Sequence, residues 1–89
     1  MAKTFPLEIV TPEQRFYKGD AQIVVVTTRS GEEGFLANHV WGCKLLADGP
    51  LHFKEPGGAE KACAIKGGFI DVKDRVLVFT DDASWDEPQ

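Results

Sequence analysis

With 89 residues, 43% apolar and 27% charged side chains and a net charge of −4, the chain has room for one domain and too many apolar groups to stay disordered. Four acids, Asp81, Asp82, Asp86 and Glu87, stand in the last nine residues without a base, leaving ten acids and ten bases in residues 1–80. A neutral body with an acidic end lacks the basic stripe that nucleic-acid phosphates need. Two cysteines, Cys43 and Cys63, are too few for a disulfide-stapled secreted scaffold and are expected to be thiols in a reducing compartment. No charged segment followed by an apolar stretch opens the sequence, and no apolar run exceeds the four residues of Ile23, Val24, Val25 and Val26. A membrane helix needs about 20. A soluble chain without direct membrane insertion is expected, divided into one sandwich unit over 1–83 and an acidic, solvated tail over 84–89.

Along the chain the hydrophobic period is two. Phe5, Leu7 and Ile9 alternate with Pro6 and Glu8, predicting a first strand that Pro12 stops. Thr11-Pro12-Glu13-Gln14 has the spacing of a helix start, but no apolar stripe of helical period follows, so a turn is expected. Residues 15–18 read as a short second strand closed by Gly19-Asp20, and residues 21–28 as the strongest strand, rich in β-branched side chains. Ser30-Gly31 and Gly34 punctuate a turn. Phe35-Leu36 and residues 43–46 flank a loop over 37–42. Asp48-Gly49-Pro50 is a turn, residues 51–54 a strand, and Glu55-Pro56-Gly57-Gly58 a hairpin tip that returns through 62–65. Gly67-Gly68 marks a bulge or a bend between sheets, and residues 69–72 and 75–80 form a last hairpin about Lys73-Asp74. About nine short strands in so short a chain have to close into a two-sheet β-sandwich or flattened barrel, an all-β fold.

Two segments hold more apolar side chains than one core face needs, Ile23 to Val26 and Val76 to Phe79. An antiparallel sheet with one solvated face should be polar on that face. Val24, Val26, Leu77 and Phe79 are therefore read as facing a protein partner, with cover by the chain's own loops as the alternative.

No catalytic constellation assembles. Gly67-Gly68 precedes a strand and offers no helix N-terminus to a phosphate. Ser30 and Ser84 lack an elbow motif, with only His39 and His52 as bases. His39, Cys43, His52 and Cys63 lack the close ligand pairs of structural zinc sites, and extended chain would set His39 and Cys43 about 13 Å apart. Adjacent Glu32 and Glu33 would point to opposite faces of a strand. No metal, cofactor or active site is expected.

One segment stands out: Gly31-Glu32-Glu33-Gly34-Phe35-Leu36-Ala37-Asn38-His39. It resembles the Gly-Glu-x-Gly-Ile-Leu-x-x-His loop of the epsilon subunit of F-type ATP synthases. Three more segments fall into register with that family: Leu7 to Glu13 with its Thr11-Pro12-Glu13 step, Asp48-Gly49-Pro50-Leu51, and Gly67-Gly68-Phe69-Ile70-Asp71-Val72 followed by Arg75-Val76-Leu77-Val78. The resemblance covers residues 4 to 83. It implies a ten-stranded sandwich on the central stalk, bound to the gamma subunit and to the ring of c subunits, on the cytoplasmic side of the cell membrane as a peripheral, non-catalytic rotor subunit that couples ion flow to ATP synthesis. Carried over onto matching positions, Glu32 of the glycine-framed acidic pair and His39 fall at the ring contact, where Glu33 and Trp41 are also expected; the apolar surplus of Val24, Val26, Leu77 and Phe79 is then expected on the gamma-facing sheet. Val40-Trp41 departs from the family's Ala-Pro after the histidine. The sequence given ends at Gln89 without the family's C-terminal helical pair, which carries the inhibitory behaviour in members that show it, so inhibition is not expected of this chain, whether it is a naturally short subunit or the sandwich part of a longer one. The alternative from another class is a free-standing sandwich that recognises a protein, peptide or glycan through Trp41 and Trp85.

Overall fold

The structure is a computed structural model that describes residues 3–36 and 42–86. Among the described residues ten strands follow one another: β1 (Phe5–Val10), β2 (Arg15–Ala21), β3 (Ile23–Thr28), β4 (Gly31–Leu36), β5 (Gly42–Leu45), β6 (Gly49–Lys54), β7 (Glu60–Ile65), β8 (Phe69–Val72), β9 (Val76–Phe79) and β10 (Ala83–Trp85). They form two five-stranded sheets, ordered β2-β1-β9-β8-β5 and β10-β7-β6-β3-β4, the two-sheet sandwich expected from the period of two. All strand pairs are antiparallel except β1 with β9, which run parallel from Leu7 opposite Val76 to Val10 opposite Phe79. Most of the chain lies between those two strands, as a parallel pair requires a long crossover. Among the described residues no helix is long and apolar enough to cross a membrane. The Thr11 step is a turn, as read, with the Glu13 and Gln14 amides donating to Thr11 Oγ1 at 3.4 and 3.3 Å.

Strand alternation sorts the side chains. Leu7, Ile9, Ile70, Val72, Val76 and Val78 turn inward from the first sheet and meet Val24, Val26, Leu51, Phe53, Cys63 and Ile65 from the second. Each large side chain buried in this way contributes about 1.5–3 kcal/mol. Val24 and Val26 are fully buried at 0% exposure, so the reading of these two as partner-facing is corrected. On β3 the inward parity belongs to Val24, Val26 and Thr28, and the outward one to Ile23, Val25 and Thr27. A run of four apolar residues carries no parity of its own, and the pairing of Val24 with Phe35 and Phe53 decides it. Leu77 and Phe79 do lie on the outward parity of β9 and are half-buried.

Three further boundaries differ from the sequence reading. Gly19-Asp20 does not close β2, which runs on to Ala21. A side-chain carbon at Gly19 would fall 2.5 Å from the Tyr17 hydroxyl, so this glycine makes room for a ring rather than for a turn. Glu32 lies inside a strand: the turn is confined to Arg29-Ser30, and β4 begins at Gly31. Finally, Ala83–Trp85 is a strand paired with β7, Trp85 opposite Cys63, and the boundary read at residue 83 falls within it. Gly67-Gly68 is the bend between sheets, carrying the chain from β7 in one to β8 in the other.

The two open sides of the sandwich are closed by different means. At the side where β2 faces β10, Trp85 stacks on Phe16 with ring centroids 4.5 Å apart and stands edge-on to Tyr17 at 6.0 Å, while Tyr17 tilts against Phe53 at 4.6 Å. The Tyr17 hydroxyl donates to Glu55 Oε2 at 3.0 Å. At the opposite side, where β4 faces β5, Lys44 Nζ meets Glu33 Oε1 at 2.6 Å.

Two predictions follow from this packing. At Gly68, with φ +103°, an added side-chain carbon would lie 1.8 Å from the Phe79 carbonyl oxygen. Gly68→Ala should cost about 2–5 kcal/mol, read as a fall in Tm of more than about 10 °C. Gly57→Ala, with open space around it, should shift Tm by no more than about 2 °C. The second concerns alkali. Burial, then the hydrogen bond to Glu55 and the charges of Glu55 and Asp20, push the Tyr17 hydroxyl up to about 12, and burial pushes the Cys63 thiol up to about 11. Both groups are neutral in folded and unfolded chains below the ordinary thiol value, so their contribution is intact there. As pH rises past about 9 the unfolded chain ionises first, and stability should fall through about 12. Urea titrations at pH 8, 10 and 11 should show that fall, and Tyr17→Phe should flatten its upper part.

Candidate protein interface

Register places the outward side chains of the first sheet in rows. Val10 pairs with Phe79, Phe79 with Phe69, and Phe69 with Leu45, so four apolar groups from four strands stand side by side on the solvent face. Phe69 and Phe79 stack with centroids 4.9 Å apart. Leu45 is 72% exposed and Phe69 38%. Leu77 lies two residues from Phe79, between Glu8 and Asp71 in the next row. Pro12, Thr11, Thr80 and Asp81 rim the same shallow groove. Contiguous apolar surface of this kind gives a small domain area that it can bury against another molecule.

The sequence signal for this row was partial. Leu77 and Phe79 stand out on their own strand, but Val10, Phe69 and Leu45 join them only through pairing between residues up to 69 positions apart. Phe69 and Leu45 each look like an ordinary alternating strand residue until the neighbouring strand is known.

The outer face of the second sheet is different. Leu36, Ile23, Lys54 and Glu60 form one row, and Gly34, Val25, His52 and Ala62 the next. Glu32 stands opposite Thr27 on this face, and its carboxylate lies 3.9 Å from His52 Nε2 across the sheet. Both side chains are well exposed, Glu32 more so than His52. Glu33 takes the other parity: its Oε2 lies 3.2 Å from Thr28 Oγ1 and its Oε1 holds Lys44. The two adjacent acids thus occupy opposite faces, as the period of two requires, and only Glu32 is presented outward. His39 and Trp41 lie outside the described residues.

The remaining polar candidates are scattered. Cys63 is buried in the core, Cys43 is exposed on the outer face of the first sheet, and His52 stands on the outer face of the second. Three groups on three separate surfaces cannot share one ion. Trp85, a platform residue in the alternative reading, is stacked into the aromatic side of the sandwich. What this arrangement offers chemically is contact: an apolar row on one face and an outward carboxylate on the other.

Comparison with known proteins gives a consistent result. The family described as the ATP synthase delta/epsilon chain β-sandwich domain matches residues 4–86. The chain is similar to the ATP synthase epsilon chain of Caldanaerobacter subterraneus subsp. tengcongensis, 39% identical over 89 residues, covering 98% of this chain and 64% of that one. It is similar to the epsilon chain of Alkaliphilus metalliredigens at 39% identity over 88 residues, covering 98% and 65%. The chain therefore spans slightly under two thirds of the length of these relatives. Among solved structures, a chain of the Euglena gracilis mitochondrial ATP synthase, in an assembly containing OSCP, F1 and the c-ring, superposes with a TM-score of 0.87 at 27% identity, covering 92% of this chain and 53% of that one. A chain of the Tetrahymena thermophila mitochondrial ATP synthase central stalk and c-ring shares the fold at TM-score 0.76 and 14% identity, covering 93% and 67%.

Proposed function

The chain belongs to the ATP synthase delta/epsilon chain β-sandwich family, and from that membership we propose that it is a central-stalk subunit of an F-type ATP synthase. In this reading it binds the gamma subunit and the c ring at once and couples ion flow to ATP synthesis as a passive rotor element, peripheral to the membrane and without an active site of its own. The observation that carries the proposal is the likeness to epsilon chains along 98% of the sequence, at 39% identity. A free-standing recognition module has no reason to share it.

The geometry supports a division of labour between the faces. The Val10–Phe79–Phe69–Leu45 row, with Leu77, suits the apolar core of a stable protein contact and is proposed as the gamma-facing surface. Glu32, at the glycine-framed start of β4, is proposed as the carboxylate offered to basic loops of the c ring, with His39 and Trp41 of the following segment beside it. Glu33 belongs to the same end of the molecule, but its contacts to Lys44 and Thr28 suit it to holding the strand.

Co-purification with gamma and c-ring subunits tests both surfaces. Phe69→Asp should weaken gamma association by about tenfold or more, because it places a charge in the apolar row while its side chain is already partly in solvent. Glu32→Lys should weaken ring association and steepen its loss with salt, leaving gamma binding intact. Retention of neither subunit by the unmodified chain would overturn the assignment in favour of a recognition module.

A further inference from the structure

The two open sides of the sandwich are held by forces that respond differently to solvent. The β2/β10 side is packed with aromatic rings. On the β4/β5 side Phe35 is buried on β4, and beside it two charged groups, Glu33 and Lys44, occupy inward parities: Glu33 pairs with buried Val26, and Lys44 with buried Ile70. A charge on the inner face of an edge strand is one of the devices by which edges are kept from pairing with other chains. Here each such charge has the other as its partner, at 2.6 Å, with the Thr28 hydroxyl beside the carboxylate.

We propose that the Glu33–Lys44 pair is an electrostatic latch that fixes edge strand β4 against the opposite sheet, and so positions Glu32 on the outer face. The argument is one of alternation. Among the described residues, edge strand β4 is hydrogen-bonded to β3 alone, so its approach to the first sheet is set by side chains, buried Phe35 and Glu33 among them. Anchoring Glu33 inward fixes the backbone on which Glu32 points outward. The same pair ties β4 to β5, the strands whose ends, Leu36 and Gly42, bound the connection that carries His39 and Trp41. Lys44 and Glu33 are thus positioning residues. The functional consequence rests on reading Glu32 as ring-facing; the latch itself does not.

The side chains are 52% and 30% exposed, which sets the scale: pairs of this exposure shift local equilibria by small factors and weaken in salt. Amide hydrogen exchange on the full chain reads the latch directly. In Lys44→Met, exchange of β4 and β5 amides should quicken by about 2- to 5-fold at low salt, with β2 and β10 unchanged. Lys44→Arg should retain the slow rate. In 1 M KCl the unmodified chain should quicken by a similar factor at β4 and β5, whereas Lys44→Met should show no further salt effect there. An equal change at both open sides, an unchanged β4 in Lys44→Met, or failure of arginine to substitute would overturn the proposal. In the assembled synthase, Lys44→Met should weaken ring association by a comparable factor and Lys44→Arg should not. If Glu32→Lys leaves ring association intact, the ring-facing reading of Glu32 fails, while the exchange data still decide the latch.

Discussion

Water is kept out of this small molecule by one contact, that between the inner faces of two five-stranded sheets. Leu7, Ile9, Ile70 and Val78 press on Val24, Val26, Leu51 and Phe53, and all eight are exposed by no more than 2%. A chain this short has little interior, so nearly every inward position has to be apolar. Because side chains alternate, fixing the inward set fixes the outward set as well. What the protein shows to its surroundings is therefore a by-product of how it hides its core.

That constraint explains why the two outer faces differ. β9 is Val-Leu-Val-Phe, and once its valines fill the core, Leu77 and Phe79 have to face out. Phe69 and Leu45 join Phe79 because pairing puts them in its row. On the second sheet the outward partners of Val25 are Gly34 and His52, so the apolar strip is broken by a missing side chain and by an imidazole. An interface built on the first face gains buried apolar area, and one at the edge of the second is governed by charge. A contact on the first face would be insensitive to salt, and one at the edge of the second would weaken with it.

Much of the fold was legible because it follows from short-range rules. The hairpin tip at Glu55-Pro56-Gly57-Gly58, the turn at Lys73-Asp74 and the sheet-to-sheet bend at Gly67-Gly68 are each local, and each stands where the glycine, proline and aspartate signals put it. The structure departs from the sequence reading where a decision depends on distant pairing. The parity of β3 is set by Phe35 and Phe53, residues that the run Ile23 to Val26 does not announce. Gly19 signals a turn in sequence, yet in space it leaves room for the Tyr17 ring. The sequence does not announce β10, because Ala83-Ser84-Trp85 is short and sits in an acidic stretch; its reason to be a strand is the Trp85 stack on Phe16, 69 residues earlier. The candidate site follows the same pattern: outward Glu32 was legible from its adjacency to Glu33, whereas the row across four strands was not.

The pair Glu32-Glu33 shows how much a single step of alternation can carry. The two acids are chemically identical and covalently adjacent, and from composition nothing separates them. One is turned to the mouth of the sandwich, where a lysine from the other sheet and a threonine hydroxyl satisfy its oxygens. The other is turned to solvent, with a histidine at 3.9 Å among the described residues. A slip of one residue in the β3/β4 register would exchange their roles and at the same time pull Phe35 out of the core. Burial of that one phenylalanine, 3% exposed, therefore helps decide which carboxylate is free to meet a partner. In this fold the chemistry of the surface is selected by hydrophobic packing one residue away from it.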